Sequence, residues 1–299
     1  MKRPFTIAAL VGFAVGATAA LAQTYLRQTD THFVKTSKGI ARIHTVRDEN
    51  DTPVRVLQLQ GAYESATYLD ENRYEPVFAY QQAFDHVFEG HLPSNEILMI
   101  GGGGYAWPKH VLSTKPEIQI TVVELDPSIT ALARKWFYLD QLLEEIPDAA
   151  DRLKLITADG RNYLEGTANR YAAIINDTFT GKDPALSLAT IEALRITKTS
   201  LLPGGIYATN VVSEQEGEDI SFLRDVVTTL NEVFAHVVVI PCEDTSFGLE
   251  DNYLVLASDL AHSFSETLPY DDDFLRNVLR EAITEPCGIQ NNAKCDKHF

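Results

Sequence analysis

The chain is poor in cysteine. Its 299 residues include three, Cys242, Cys287 and Cys295, and an odd number builds no even disulfide framework. Cys287 and Cys295 could pair in an oxidising compartment; unpaired thiols are the alternative. There is no Cys-x-x-Cys and no His-x-x-x-His spacing, so no metal site is expected. Positive charge is also scarce: 25 Lys and Arg stand against 42 Asp and Glu, a formal net charge of −17. Such a surface repels the phosphates of nucleic acid and argues against that partner. It favours a cationic ligand. Internal repeats and low-complexity segments are missing as well. What remains is an ordinary globular composition, long enough for one sizeable core and a small extra domain.

Long hydrophobic runs are missing too, except for one. Phe5 to Ala22 is 18 residues without a charge, preceded by Lys2 and Arg3. Two readings are open. Ala20-Leu21-Ala22 resembles a signal-peptide cleavage site, which would make the protein secreted. Alternatively, the run is a short membrane anchor, with Gly12, Gly16, Ala8 and Ala20 forming a small face suited to helix pairing in lipid. A buried soluble helix fits least, because no polar face exists. Arg27, Lys35, Lys38 and Arg42 follow the run, and a count over both flanks favours an anchored chain with its main domain inside.

What the chain does have is a stretch around which the rest is organised, Glu96 to Ser128. Ile97-Leu98-Met99-Ile100 reads as a buried parallel strand. Gly101, Gly102, Gly103 and Gly104 follow, a turn that allows positive φ and lets a ligand approach the backbone. Ala106 to Ser113 reads as a helix, with Pro108 in its first turn. A second strand, Gln119 to Glu124, ends on an acid. Asp126 is placed to cap the next helix, and Pro127 suits its first position. Strand, glycine turn, helix, strand and acidic end make a nucleotide-binding βαβ unit. Glu124 lies where a carboxylate accepts both ribose hydroxyls. This motif alone does not separate a dinucleotide from an S-adenosyl ligand.

Upstream, Gly39 to Val46, Val54 to Gln60 and Ala62 to Leu69 read as three strands of a small antiparallel unit. Glu75 to Gly90 reads as a helix, with Phe78, Phe84 and Phe88 on a roughly helical period. Downstream, Leu153 to Thr157 and Tyr171 to Ile175 are strands. They run into Ala158-Asp159-Gly160-Arg161 and Asn176-Asp177-Thr178-Phe179, the polar strand ends where open α/β sheets place ligands. Leu186 to Leu201 reads as a helix ended by Pro203-Gly204-Gly205. Ile206 to Val212 is a strand, Glu216 to Phe234 a long amphipathic helix, and Val237 to Ile240 and Tyr253 to Ala257 the last strands. Asp271-Asp272-Asp273 is a solvated helix start. The alternation predicts an α/β fold with a doubly wound, mostly parallel Rossmann-like sheet. The expected order is a hydrophobic segment over 1–26, a small β domain with a linking helix over 27–90, and the adenosyl-ligand-binding domain over 91–299.

GGGGYAWP, VVELDP, ADGRNYL, YAAIINDTF and LLPGG occur here in the order seen in the spermidine synthase family of polyamine aminopropyltransferases, which this chain resembles. VRVLQLQGAYES and FAYQQAFDH are similar to that family's upstream strand-turn-strand and helix. The resemblance covers roughly 39–257 and looks closest to a divergent bacterial spermidine-synthase-like branch. It implies the class I S-adenosylmethionine-dependent methyltransferase fold. It further implies that the Gly101–Gly104 loop passes under the sulfonium of the ligand and that Glu124 holds the ribose. Asp159 would take the adenine amino group, with Gly160 allowing close approach. Asp177 would match the family's catalytic acidic residue, and Tyr80 and Gln81 would line the amine side.

The chain departs from the family pattern at several positions. The family's glycine loop carries an Asp that binds the aminopropyl ammonium, where this chain has Gly104. A second acid after the strand end is replaced by Thr180, and a family Gln is matched by Glu64. A proline-tyrosine segment is replaced by Pro241-Cys242-Glu243-Asp244.

Three functions follow as expectations. The first is transfer of an aminopropyl group from decarboxylated S-adenosylmethionine to a small-molecule amine, with Asp177 as general base. The second is methyl transfer from S-adenosylmethionine. The third is a non-catalytic adenosyl-ligand-binding domain. A homo-oligomer is compatible with all three. An NAD-dependent oxidoreductase fits less, because nothing downstream supplies a hydride-transfer constellation.

Overall fold

The computed structural model describes residues 30–180, 183–212, 220–244, 247 and 252–281. The hydrophobic run Phe5 to Ala22 and the cysteines Cys287 and Cys295 lie outside the described residues. Among the described residues, no helix is long and apolar enough to cross a membrane.

Four strands open the described chain: β1 (His32–Thr36), β2 (Gly39–Arg47), β3 (Pro53–Leu59) and β4 (Ala62–Tyr68). They form one antiparallel sheet in the order β1-β2-β3-β4. The sequence predicted three of them. The fourth, β1, is short and largely half-buried or exposed, so it carries little apolar signature. Its pairing with β2, from His32↔Ile43 to Thr36↔Gly39, defines it.

The predicted helix over 75–90 is corrected. The structure has a five-residue helix α1 (Ala79–Ala83) followed by a 3₁₀ turn, Phe84–Phe88. The buried residues of these two elements are Gln81, Phe84 and Val87, spaced by three. Phe84 and Val87 share one edge of the 3₁₀ turn, where residues i and i+3 eclipse.

The main sheet has seven strands in the order β12-β13-β11-β8-β5-β6-β7. They are β5 (Glu96–Ile100), β6 (Gln119–Glu124), β7 (Leu153–Thr157), β8 (Tyr171–Asn176), β11 (Leu201–Val212), β12 (His236–Cys242) and β13 (Asn252–Ser258). Two-residue strands β9 (Phe179–Thr180) and β10 (Asp183–Pro184) pair with each other beside it. β7, β6, β5, β8 and β11 are mutually parallel, and β13 runs against both β11 and β12.

Successive side chains of one strand enter two different cores, the mark of helices on both faces. From β5, Ile97 and Met99 join one cluster, and Leu98 and Ile100 the other. From β8, Ala173 and Ile175 face the first, and Ile174 the second. The first core takes Trp107, Val111 and Leu112 from α2 (Ala106–Thr114). The second takes Leu164 from α6 (Gly160–Gly166), Leu194 from α8 (Ile191–Thr199) and four residues of α9 (Ser221–Asn231).

Between them in sequence come α3 (Pro127–Trp136), α4 (Leu139–Glu145), α5 (Ala149–Arg152) and α7 (Leu186–Ala189). The predicted helix 186–201 is therefore two helices. The break falls at Thr190, which is extended and caps α8 by accepting from the Ala193 amide at 3.3 Å. Pro203-Gly204-Gly205 does not end that helix. It lies inside β11, where the pairing with β8 slips between Leu201 and Ile206 and Gly204 takes φ 77°.

The small sheet rests on the large one. Ala41, Ile43, Leu57 and Leu59 pack with Leu132 and Phe137 at α3, and Arg55 donates to the Trp136 carbonyl at 3.0 Å. Lys109 of α2 is buried, and its ammonium reaches Thr67 Oγ1 on β4 and the Arg73 carbonyl, both at 3.1 Å. Burial drops its pKa to about 7.

Candidate active site

The parallel strands leave β5 in opposite directions, to β6 on one side and β8 on the other. The crevice over their carboxyl ends is the switch point of such a sheet. A cavity of about 860 Å³ opens there, walled on its far side by β3, β4 and the β1–β2 turn of the small sheet. That volume suits a ligand of nucleoside size or larger.

The glycine loop forms the floor. Gly101 has φ 92°, and a Cβ there would fall 2.1 Å from the Asp177 carbonyl oxygen. Two backbone bonds fix this junction: Gly101 N–H to the Val123 carbonyl and Asp177 N–H to the Ile100 carbonyl, both 2.9 Å. Gly103 has φ 49° and, with Gly101, lines the cavity. Gly102 and Gly104 do not line it. A Cβ on Gly102 would meet the Tyr105 ring at 2.7 Å, and one on Gly104 would meet Ser65 Oγ at 2.5 Å. These two glycines serve close packing beneath the floor.

Glu124 ends β6 as the sequence predicted, and it is buried in the wall. Its Oε2 accepts from the Gly102 amide and its Oε1 from the Asp126 amide, each at 2.8 Å. The carboxylate is held rigid, and each oxygen keeps a further lone pair for a ligand hydroxyl. Asp126 caps α3 through Ser128 and also accepts from the Ser37 amide at 2.6 Å, which docks the β1–β2 turn onto the wall. Burial opposes ionisation of Asp126, but the bonds from Ser128 and Ser37 prevail and hold its pKa at about 2.

Asp159 and Gly160 both line the cavity. Asp159 also caps α6, accepting from the Asn162 amide at 2.9 Å. At Gly160 the tight neighbour is Ile100, whose Cγ2 stands 2.3 Å from a hypothetical Cβ. The glycine therefore lets α6 close on β5.

Asp177 is the first residue past β8, beside Gly101. Burial, with added repulsion from Glu64 and Glu124, pushes its pKa up to about 7 against the pull of a hydrogen bond from Asn210. Asn176 just before it is buried. Its amide donates to Tyr207 Oη at 3.1 Å, and its carbonyl accepts from Thr178 Oγ1 at 2.7 Å, bracing the chain on both sides of Asp177. Tyr80 lines the same cavity; burial and the charges of Asp177, Glu64 and Asp244 hold its hydroxyl protonated. Gln81 is buried behind it and donates to Tyr80 Oη at 3.2 Å. It thus orients Tyr80 and does not itself line the cavity.

Three further groups complete the wall. Glu64 enters on β4. Asn210, deep in β11, bonds Asp177 through its amide and leaves its carbonyl oxygen buried without a protein partner. Tyr63 and Phe247 meet edge to face, 6.3 Å between centroids, forming an aromatic side. The signal for Asn210 was a single amide in an otherwise apolar strand end; for Glu64 it was the departure from the family's Gln.

With this geometry in place, comparison with known proteins decides the family. The spermine/spermidine synthase domain matches residues 77–243, more than half of the chain. The chain belongs to the spermine/spermidine synthase family. Within the family, it is 32% identical over 163 residues to polyamine aminopropyltransferase 2 of Hyperthermus butylicus, covering 53% of this chain and 50% of that protein. It is 28% identical over 212 residues to polyamine aminopropyltransferase 2 of Pseudomonas aeruginosa, covering 69% of this chain and 56% of that one. The chain thus spans about half the length of these curated relatives. Among solved structures, a probable spermidine synthase from Corynebacterium glutamicum superposes with a TM-score of 0.62 at 22% identity, over 78% of this chain and 81% of that one, a shared fold.

Proposed function

We propose that this spermidine synthase family member transfers an aminopropyl group from decarboxylated S-adenosylmethionine to a small-molecule amine. The observation that carries the reading is Asp177: a buried carboxyl with a pKa of about 7, pinned beside Gly101 in the same cavity as Glu124. The curated relatives, both named for polyamine aminopropyl transfer, favour this over methyl transfer.

In this reading Glu124 accepts the ribose hydroxyls, Asp159 faces the adenine amino group, and Gly101 and Gly103 let the sulfonium lie close to the backbone. The acceptor is an ammonium at neutral pH, since aliphatic amines have pKa values of roughly 10. Asp177 and the open Asn210 carbonyl orient it, and Asp177 takes its proton. The freed amine attacks the methylene carbon next to sulfur, the new C–N bond forms, and the C–S bond breaks. Its electron pair stays on sulfur, so neutral methylthioadenosine leaves without acid assistance. A base with a pKa near 7 is matched to this task.

The test is Asp177→Asn. Aminopropyl transfer is expected to fall roughly 100- to 10,000-fold, with donor affinity kept within a few-fold and the rate limb near pH 7 abolished. A variant that keeps its turnover would remove Asp177 from the reaction.

A further inference from the structure

Glu64 stands where β4 departs from regular pairing. Leu57 pairs with Ser65 and the next residue, Gln58, pairs with Tyr63, so Glu64 is the extra residue of a β-bulge. Bulges next to sites re-aim a side chain, and this one lies on the cavity wall. The same two residues clamp the glycine loop. The Glu64 carbonyl oxygen lies 3.5 Å from where a Gly103 Cβ would be, and Ser65 fills the place of a Gly104 side chain. The loop therefore contributes no charge at this end of the cavity, and the bulge contributes one. Glu64 acts electrostatically on both Asp177 and Tyr80, which places it at their end. Among the described cavity-lining residues, Lys38 is the sole cation. It belongs to the β1–β2 turn docked on Asp126, on the β6 side.

We propose that Glu64 selects the donor: its carboxylate receives the terminal ammonium of the aminopropyl arm, a charge supplied from the β4 bulge and not from the glycine loop. The inference rests on the adenosyl-donor reading above. An arm bearing only an ammonium is complementary to an end of the cavity that holds Glu64, Asp177 and the Asn210 carbonyl. An arm that also carries a carboxylate, as in ordinary S-adenosylmethionine, meets the like charge of Glu64 there.

The experiment is calorimetric titration of the full chain and of Glu64→Gln, an isosteric change, with three ligands: decarboxylated S-adenosylmethionine, S-adenosylmethionine and methylthioadenosine. Methylthioadenosine has no charged arm, so its binding reports an intact adenosyl site. Loss of a charge-assisted hydrogen bond is expected to weaken the decarboxylated donor about 10- to 100-fold. Methylthioadenosine should stay within about twofold, S-adenosylmethionine should not weaken, and the preference between the two donors should shrink. Equal weakening of all three ligands would make Glu64 a structural residue and overturn the proposal. So would an unchanged decarboxylated donor with a raised KM for the amine, which would move Glu64 to the acceptor. If the unaltered chain binds none of the three, the adenosyl reading itself fails, an outcome distinct from either.

Discussion

At the residue scale, the cavity is a place where acids are held in different states for different work. Glu124 is locked by two amides and Asp126 is kept ionised by its bonds, whereas Asp177 is lifted to about 7 by burial and neighbouring charge. That lift has a thermodynamic cost in the ligand-free protein. The ordinary value of Asp177 is 3.8, so between pH 3.8 and about 7 the unfolded chain binds fewer protons than the folded one. Stability contributed by protonated Asp177 is lost over that window as pH rises. Asp177→Asn removes the term. Its unfolding free energy, relative to the unaltered protein, should climb from pH 4 to pH 7 and then level, by up to roughly 4 kcal/mol. Denaturant melts across that range check this; parallel curves would mean an unperturbed carboxyl. The sequence made Asp177 and Glu124 legible because both end strands. It could not give Asn210, whose role exists only where β11 lies beside β8, nor show that Gln81 stands behind Tyr80.

At the element scale, the turn between β5 and α2 is the tightest constraint. The βαβ unit was legible from sequence because central parallel strands read as unbroken apolar runs and their ends are punctuated by glycine and acid. Elements that depend on tertiary pairing were not: β1 exists through its partner β2, and the segment 79–88 splits into a short α-helix that buries the polar Gln81 and a 3₁₀ turn that buries Phe84 and Val87. Loop chemistry at Thr190 split a helix that the apolar pattern ran together. The turn gives a paired prediction. Gly101→Ala places a Cβ against the Asp177 carbonyl at positive φ, and should cost at least about 2 kcal/mol of stability and most of the adenosyl affinity. Gly166→Ala, where a Cβ meets nothing within 4 Å, should be neutral or stabilising by up to about 1 kcal/mol. Thermal melts and methylthioadenosine titration of both variants decide it; equal behaviour would mean that the turn tolerates a side chain.

At the scale of the whole molecule, two sheets share one site. The large sheet supplies the glycine floor, Glu124 and Asp177. The small sheet supplies Glu64, Tyr63 and the docked β1–β2 turn, and the apolar cluster at Leu132 and Phe137 holds the halves together. The chain's net charge of −17 favours cationic ligands at this acid-lined cavity. The most direct test of the account is product identity. The full chain is incubated with a primary diamine and either decarboxylated S-adenosylmethionine or S-adenosylmethionine, and the nucleoside released is identified by mass spectrometry. The account predicts methylthioadenosine from the decarboxylated donor, formed one-to-one with the aminopropylated amine. Release of S-adenosylhomocysteine from S-adenosylmethionine, with no reaction of the decarboxylated donor, would contradict it.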